Sequence, residues 1–284
     1  MLTKLTGAAV RAVLVAVLVA TPSLLLPTVS TDTSEIVVLF GLACALLTFV
    51  EYASTYPSLI EFRDAPPFNR IRFMSLFLTV FFLSVLARGA VLPNGLTMFM
   101  QAVGGIVGYA LDFPYSPVRL VLLSLPDTAT AMEMAQVRTA SGMAYLIGLL
   151  AITFFYLILK LNDWPSHSGA FNVWINLPTF DPTAGGDVVD RLNRDARVNL
   201  ALGFLLPFMI PAIGKAATEL FGNAVVEEPQ TMIWMVSLWA FLPLSLFMRG
   251  IAMSRVADMI VEMRRRTAPT EGNGDESNGD LVTP

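Results

Sequence analysis

Six stretches of this sequence are apolar for long enough to cross a lipid bilayer as helices, and nothing else in it limits the possible folds so sharply. A hydrocarbon core about 30 Å thick takes about 20 helical residues to cross. Runs at about residues 6–27, 35–53, 71–88, 141–161, 199–221 and 231–250 meet or approach that length with few charges. The chain as a whole is 55% hydrophobic and 14% charged, where soluble domains carry about 45–50% and about 25%. In hydrocarbon the backbone must pair within its own segment, so helices are the economical way across. The expectation is an all-α integral membrane protein, a bundle of about six transmembrane helices over residues 1–266.

The first run also imitates a signal peptide, with Lys4, a short apolar stretch and Ala20 before Thr21, Pro22 and Ser23. Leu18 is a poor residue for the −3 position, and apolar character resumes at Leu24, so a retained span is the preferred reading. Orientation follows the bases. With six spans and the N-terminus inside, Lys4, Arg11, Arg63, Arg70, Arg72, Lys160, Arg191, Arg194, Arg197, Arg255 and Arg264 to Arg266 are cytoplasmic, while Arg88, Arg119 and Arg138 are outside. A seventh crossing at residues 96–113 would put the later basic clusters outside. Residues 89–140 are therefore expected to form an outer helical cap. Fifteen of the 18 bases are Arg, a usage associated with GC-rich bacterial genomes, and the expected location is a bacterial cytoplasmic (inner) membrane.

Two loops on the inner side, residues 54–70 and 162–198, read as structured. The first is rich in aromatics and prolines, where a flexible linker would be richer in Gly and Ser. In the second, Phe171, Val173, Ile175 and Leu177 alternate with polar or amphipathic neighbours as in a short strand. Gly185 and Gly186 make a turn, and Asp187 is placed to cap a helix that runs into the fifth span. Along that helix, Asp187 with Arg191 and Asp190 with Arg194 are favourable i,i+4 pairs. Both termini are expected in the cytoplasm, and residues 267–284, acidic and rich in Gly, Asn and Ser, should be a disordered tail. The tail holds Glu271, Asp275, Glu276 and Asp280 and no base, so the net charge of −4 belongs to it.

Charged groups inside a span call for a functional hypothesis. Lys215 and Glu219 stand one turn apart in the fifth span, downstream of Pro207 and Pro211, which mark a candidate helix break. Broken helices beside a charge resemble the binding sites of secondary transporters, and a small-solute transporter or channel built around this helix is the alternative functional reading. Pairing of Lys215 with Glu219 near the interface is the plainer account of the two. Glu51, Arg88 and Arg249 sit at span ends, where interfacial anchoring is the ordinary role. Gly41 with Ala45, Gly104 with Gly108 and Ala144 with Gly148 have the spacing of close helix contacts.

No H-E-x-x-H, G-x-S-x-G, Walker A or G-x-G-x-x-G pattern occurs. One cysteine, Cys44, excludes an intramolecular disulfide. His167 with Asp163 and Asp181 has no regular metal spacing, and a turn at Gly185 and Gly186 without a nucleotide fingerprint reads as a turn. No catalytic, cofactor or metal site is expected, and the charge balance argues against nucleic acid. The preferred reading is a non-catalytic accessory, assembly or structural subunit that contacts lipids and another membrane protein through its cytoplasmic face. The residues proposed for that contact are Tyr52, Tyr56, Phe62, Arg63, Arg70, Arg72, Trp164, Trp174, Arg264, Arg265 and Arg266.

Overall fold

The computed structural model describes residues 2–27, 29–165, 171–181, 183, 185–221 and 229–267. The expected tail beyond Thr267, His167 and the side chains of Trp174 and Glu219 lie outside the described residues. Among those described the protein is all-helical: α1 (Leu2–Leu25), α2 (Thr31–Ala53), α3 (Phe68–Val91), α4 (Gly95–Leu111), α5 (Pro117–Leu123), α6 (Ala131–Leu161), α7 (Val173–Asn176), α8 (Val188–Phe221) and α9 (Pro229–Thr267). Six of them, α1, α2, α3, α6, α8 and α9, are long and apolar enough to cross a membrane, which fits the multi-pass membrane class expected. The segment considered for a seventh span is α4, an apolar helix of 17 residues, shorter than the six and packed on α3 and α6.

The helices overrun the apolar runs because their ends are set by caps. The helix α6 begins ten residues before the expected span, where the Thr130 side chain accepts from the Glu133 N–H and the Glu133 carboxylate accepts from the Thr130 N–H. Its first three turns therefore lie in what was assigned to the cap. The 39 residues of α9 extend for roughly 58 Å, well past a bilayer core, and carry the Arg264–Arg266 cluster clear of it.

Small residues set how closely the helices approach. Gly104 and Gly108 of α4 lie on α6, and a Cβ on Gly142 of α6 would stand 2.5 Å from the Gly108 Cα. Gly203 of α8 fits against Pro243 and Phe247 of α9, and Gly250 of α9 against Ala196 and Leu200 of α8. Gly142→Ala should therefore push α4 off α6 and lower stability by about 1–3 kcal/mol. Gly105→Ala, with open space around its Cβ, should show no such loss in the same detergent-melting experiment.

The expected break at Pro207 and Pro211 does not occur: α8 runs through both prolines as one helix. Pro211 has no N–H to give the carbonyl four residues back, that of Pro207. The Trp239 indole Nε1–H of α9 donates to that carbonyl at 3.0 Å in a buried setting. A neighbouring side chain thus replaces the missing helix bond, and α8 can continue.

Two apolar cores stack along the bundle. One gathers Val80, Leu83, Val118, Met143, Ile233 and Trp239 towards the cap. The other gathers Phe62, Phe68, Phe155, Trp164, Leu192 and Met248 at the opposite end, under the two long loops. The cap itself is tied by Asp112, whose carboxylate meets Arg119 at 2.7 Å and Arg138 at 2.8 Å. The hairpin α1–α2 lies to one side of the bundle. Only 11% of the apolar window of α2 is buried, so this helix leans on α1 and presents Leu39, Phe40, Leu42, Leu46 and Leu47 outward.

Candidate functional site

Both long loops and both ends of the described chain meet at one end of the bundle, and its polar groups are unusually well connected. The helix α2 stops at Ala53 because Ser54 turns to an extended conformation, and the chain doubles back over the helix end. This aims three successive N–H groups at the buried Glu51 carboxylate: Ser58 at 3.0 Å, Leu59 at 3.0 Å and Ile60 at 3.2 Å. The Ser58 hydroxyl donates to it as well. One carboxylate therefore satisfies three backbone donors and a hydroxyl of the turn.

Arg63 closes the other side of the same turn. Its side chain is 3% exposed. Nη1 donates to the carbonyls of Glu51 (3.0 Å) and Ser54 (2.8 Å), Nη2 to that of Thr55 (3.3 Å), and Nε and Nη2 fork onto the Asp64 carboxylate. A guanidinium at the C-terminus of a helix meets both the orphan carbonyls and the negative end of the helix dipole. Lys4 of α1 adds a bond to the Ser54 carbonyl at 2.8 Å.

A second set of ties joins the first loop to the second. The Phe62 N–H donates to the Asn176 carbonyl at 2.6 Å, and the Asp64 N–H to the Asn176 side-chain oxygen at 3.1 Å. The Glu61 carboxylate receives both Nε (2.6 Å) and Nη2 (2.9 Å) of Arg249 from α9, and the Thr179 hydroxyl at 2.7 Å. Phe62 has a φ of 52°, a region that a bulky residue rarely adopts. Its fully buried ring lies 4.5 Å from Phe68, 5.9 Å from Trp164 and 6.4 Å from Phe171 between centroids. These contacts hold the backbone in that conformation.

The second loop departs from the strand its alternation suggested. Residues Val173–Asn176 form one helical turn, with the Asn172 side chain accepting from the Ile175 N–H. The buried side chains are the consecutive Asn176 and Leu177 together with Phe180, because Asn176 serves the first loop and a strand would turn it and Leu177 to opposite faces. Gly186, at φ 94°, makes the expected turn, and the Asp187 carboxylate accepts from the Val189 N–H as the expected cap. The expected i,i+4 pairs give way to other contacts. Asp187 binds Arg264 of α9 at 2.7 Å, Arg194 turns to Asp195, and Arg191 reaches the Asp181 carbonyl while its guanidinium lies over Phe180. The bond from Arg264 holds the Asp187 carboxyl below the usual carboxylate range, so this tie persists at neutral pH and opens as pH falls through the lowered value.

Of the residues expected on the contact surface, Phe62, Arg63 and Trp164 are interior. Phe62 and Trp164 belong to the core, and Arg63 is consumed by α2. Tyr56, Arg70, Arg264, Arg265 and Arg266 are exposed, and Tyr52 and Arg72 are half-buried. Lys215 is exposed on α8, and its pairing with Glu219 falls outside the described side chains. The span-end residues do more than anchor: Glu51 organises a loop, Arg249 joins two elements, and Arg88 donates to the Leu25 carbonyl at the end of α1 at 2.9 Å. Glu61, Asn176 and Thr179 carry no motif, and nothing local in the sequence marks them.

Between α1, the end of α2, the first loop and the start of α3 opens a cleft of about 970 Å³. Arg11, Arg63, Arg70 and Arg72 line it, with Asp64 as its carboxylate. Arg11 lies over the Tyr52 ring at 4.6 Å. Arg72 stands 5.2 Å from the Phe68 ring and 5.8 Å from that of Phe241, and its Nε is buried without a hydrogen-bond acceptor. Searches against protein-family models, curated proteins and solved structures returned no match to this chain.

Proposed function

We propose that the protein is a non-catalytic accessory or assembly subunit of a bacterial inner membrane, with both termini cytoplasmic, that docks a partner protein on the loop end of its bundle. The uneven placement of Arg and Lys supports the orientation. The observation that carries the docking is the pairing of a locked backbone with outward side chains. The first loop is fixed by Glu51, Glu61 and Arg63, yet Tyr56 is 74% and Leu59 62% exposed on it. Large side chains on a preorganised loop lose little entropy on binding. The exposed Arg264–Arg266 cluster at the end of α9 would steer encounter.

Purification in mild detergent tests this. A partner should co-purify with the native chain and be lost from a Tyr56→Ala/Leu59→Ala variant that elutes and melts as the native protein does. Isolation of the native chain alone, or equal capture by both, would count against it. Transport along α8 with Lys215 and Glu219 is the less supported reading. The space beside Pro207 is about 50 Å³ and is lined largely by apolar residues such as Leu149, Trp239 and Phe247, a poor fit to a hydrated solute.

A further inference from the structure

We infer that the cleft between α1, α2 and α3 is a binding site for a phosphate group carried on an anionic amphiphile, a membrane phospholipid whose headgroup is held by Arg11, Arg70 and Arg72. The site goes beyond the partner platform and does not depend on it.

The charge of the lining comes first. Four guanidinium groups face one carboxylate, Asp64, and that carboxylate is engaged by Arg63. Arg63 is in turn saturated by backbone carbonyls. The remaining positive charge is on Arg11, Arg70 and Arg72. The Glu61 carboxylate, whose field also reaches Arg72, is taken up by Arg249 and Thr179. Nothing among the lining residues offsets the three arginines.

Arg72 gives the charge a direction. Burying a guanidinium N–H with no acceptor is costly, and the Arg72 Nε is in that position while its planar face rests on Phe68 and Phe241. An anion entering the cleft supplies the missing acceptor. A phosphate suits it because its oxygens match the donor fork of an arginine and can bridge to a second one.

The apolar part of the wall selects an amphiphile over a free anion. One turn beyond Arg11, towards the middle of α1, come Leu14 and Val15, and across from them Phe73 continues the start of α3. Bases at one end and a helix-lined apolar wall leading away from them reproduce the order of a phospholipid, headgroup first and acyl chain after. The volume, about 970 Å³, is at the upper end of the range for drug-sized ligands, about 300–1,000 Å³. It holds a headgroup with the upper part of its chains.

Native mass spectrometry of the full-length protein in dodecyl maltoside tests the site, with dioleoyl phosphatidylglycerol, dioleoyl phosphatidylcholine or inorganic phosphate added in turn. Phosphatidylglycerol should be retained about tenfold more strongly than phosphatidylcholine, and Arg11→Gln/Arg72→Gln should remove that advantage. Arg72 is partly buried, so Arg11→Gln/Arg70→Gln, which alters two exposed side chains, serves as the second variant and should weaken phosphatidylglycerol in the same direction. Arg194→Gln/Arg197→Gln removes two exposed charges of α8 outside the cleft and should leave retention unchanged. Equal retention of the two lipids, or equal losses in the α8 variant, would overturn the site. Inorganic phosphate binding as tightly as phosphatidylglycerol would overturn the amphiphile.

Discussion

Phe62→Ala is expected to lower the unfolding free energy by about 3–5 kcal/mol, the usual range for truncating a fully buried aromatic. Three rings and the Asn176 carbonyl converge on this residue, so the cavity cannot close without moving both loops. Alanine would also have to keep a φ of 52° without the ring contacts that impose it. The loss should appear as a lower detergent melting temperature together with a change in Trp164 fluorescence, since that indole packs on the deleted ring. Phe62→Leu, which keeps most of the volume, should lose markedly less. An unchanged melt for the alanine variant would mean that the two loops are held together by something other than this cluster.

Arg63→Met is expected to cost about 2 kcal/mol, because it takes a charged donor from three carbonyls at the end of α2, of which those of Glu51 and Ser54 keep a second donor in the Ser54 hydroxyl and Lys4 while that of Thr55 does not. Little of the cost should come from Asp64, whose side chain is 54% exposed and can return to water. Arg63→Lys restores a charge but not the fork that reaches the Glu51, Ser54 and Thr55 carbonyls together, and should recover only part of the loss. The effect is local, so limited proteolysis between residues 54 and 61 is the sharper measurement. Cleavage there should rise in the methionine variant well below the melting temperature, and equal resistance in the two proteins would contradict the role given to Arg63.

The six long helices are legible in the sequence because an apolar run of bilayer length needs no knowledge of neighbours. Their ends are less so. The start of α6 is concealed by Glu133, Gln136 and Arg138, which look like loop composition until the capping box at Thr130 is recognised. In the loops, periodicity loses its meaning. The alternation from Phe171 to Leu177 is real, but Asn176 is drawn inward by donors 112 and 114 positions earlier in the chain, a demand that no local pattern records. Phe62, Arg63 and Trp164 share their residue types with Tyr56 and Arg70, and only tertiary packing sorts the first three inward and the last two outward. Pro211 misleads for a related reason: the bond it cannot give to the Pro207 carbonyl is replaced by Trp239, 32 residues beyond that carbonyl.

The two arginines that close the ends of α1 and α2 settle how the cleft can work mechanically. Arg88 of α3 fastens the α1–α2 hairpin at the cap end, and at the other end Arg63 fastens α2 to the first loop, which Arg249 and Asn176 hold to the rest of the bundle; both arginines grip backbone carbonyls, which cannot rotate away as side chains do. A leaf bolted at top and bottom does not swing. These ties oppose a swing of the hairpin that would widen the cleft, so an occupant would enter it sideways, between helices, without a hinged opening.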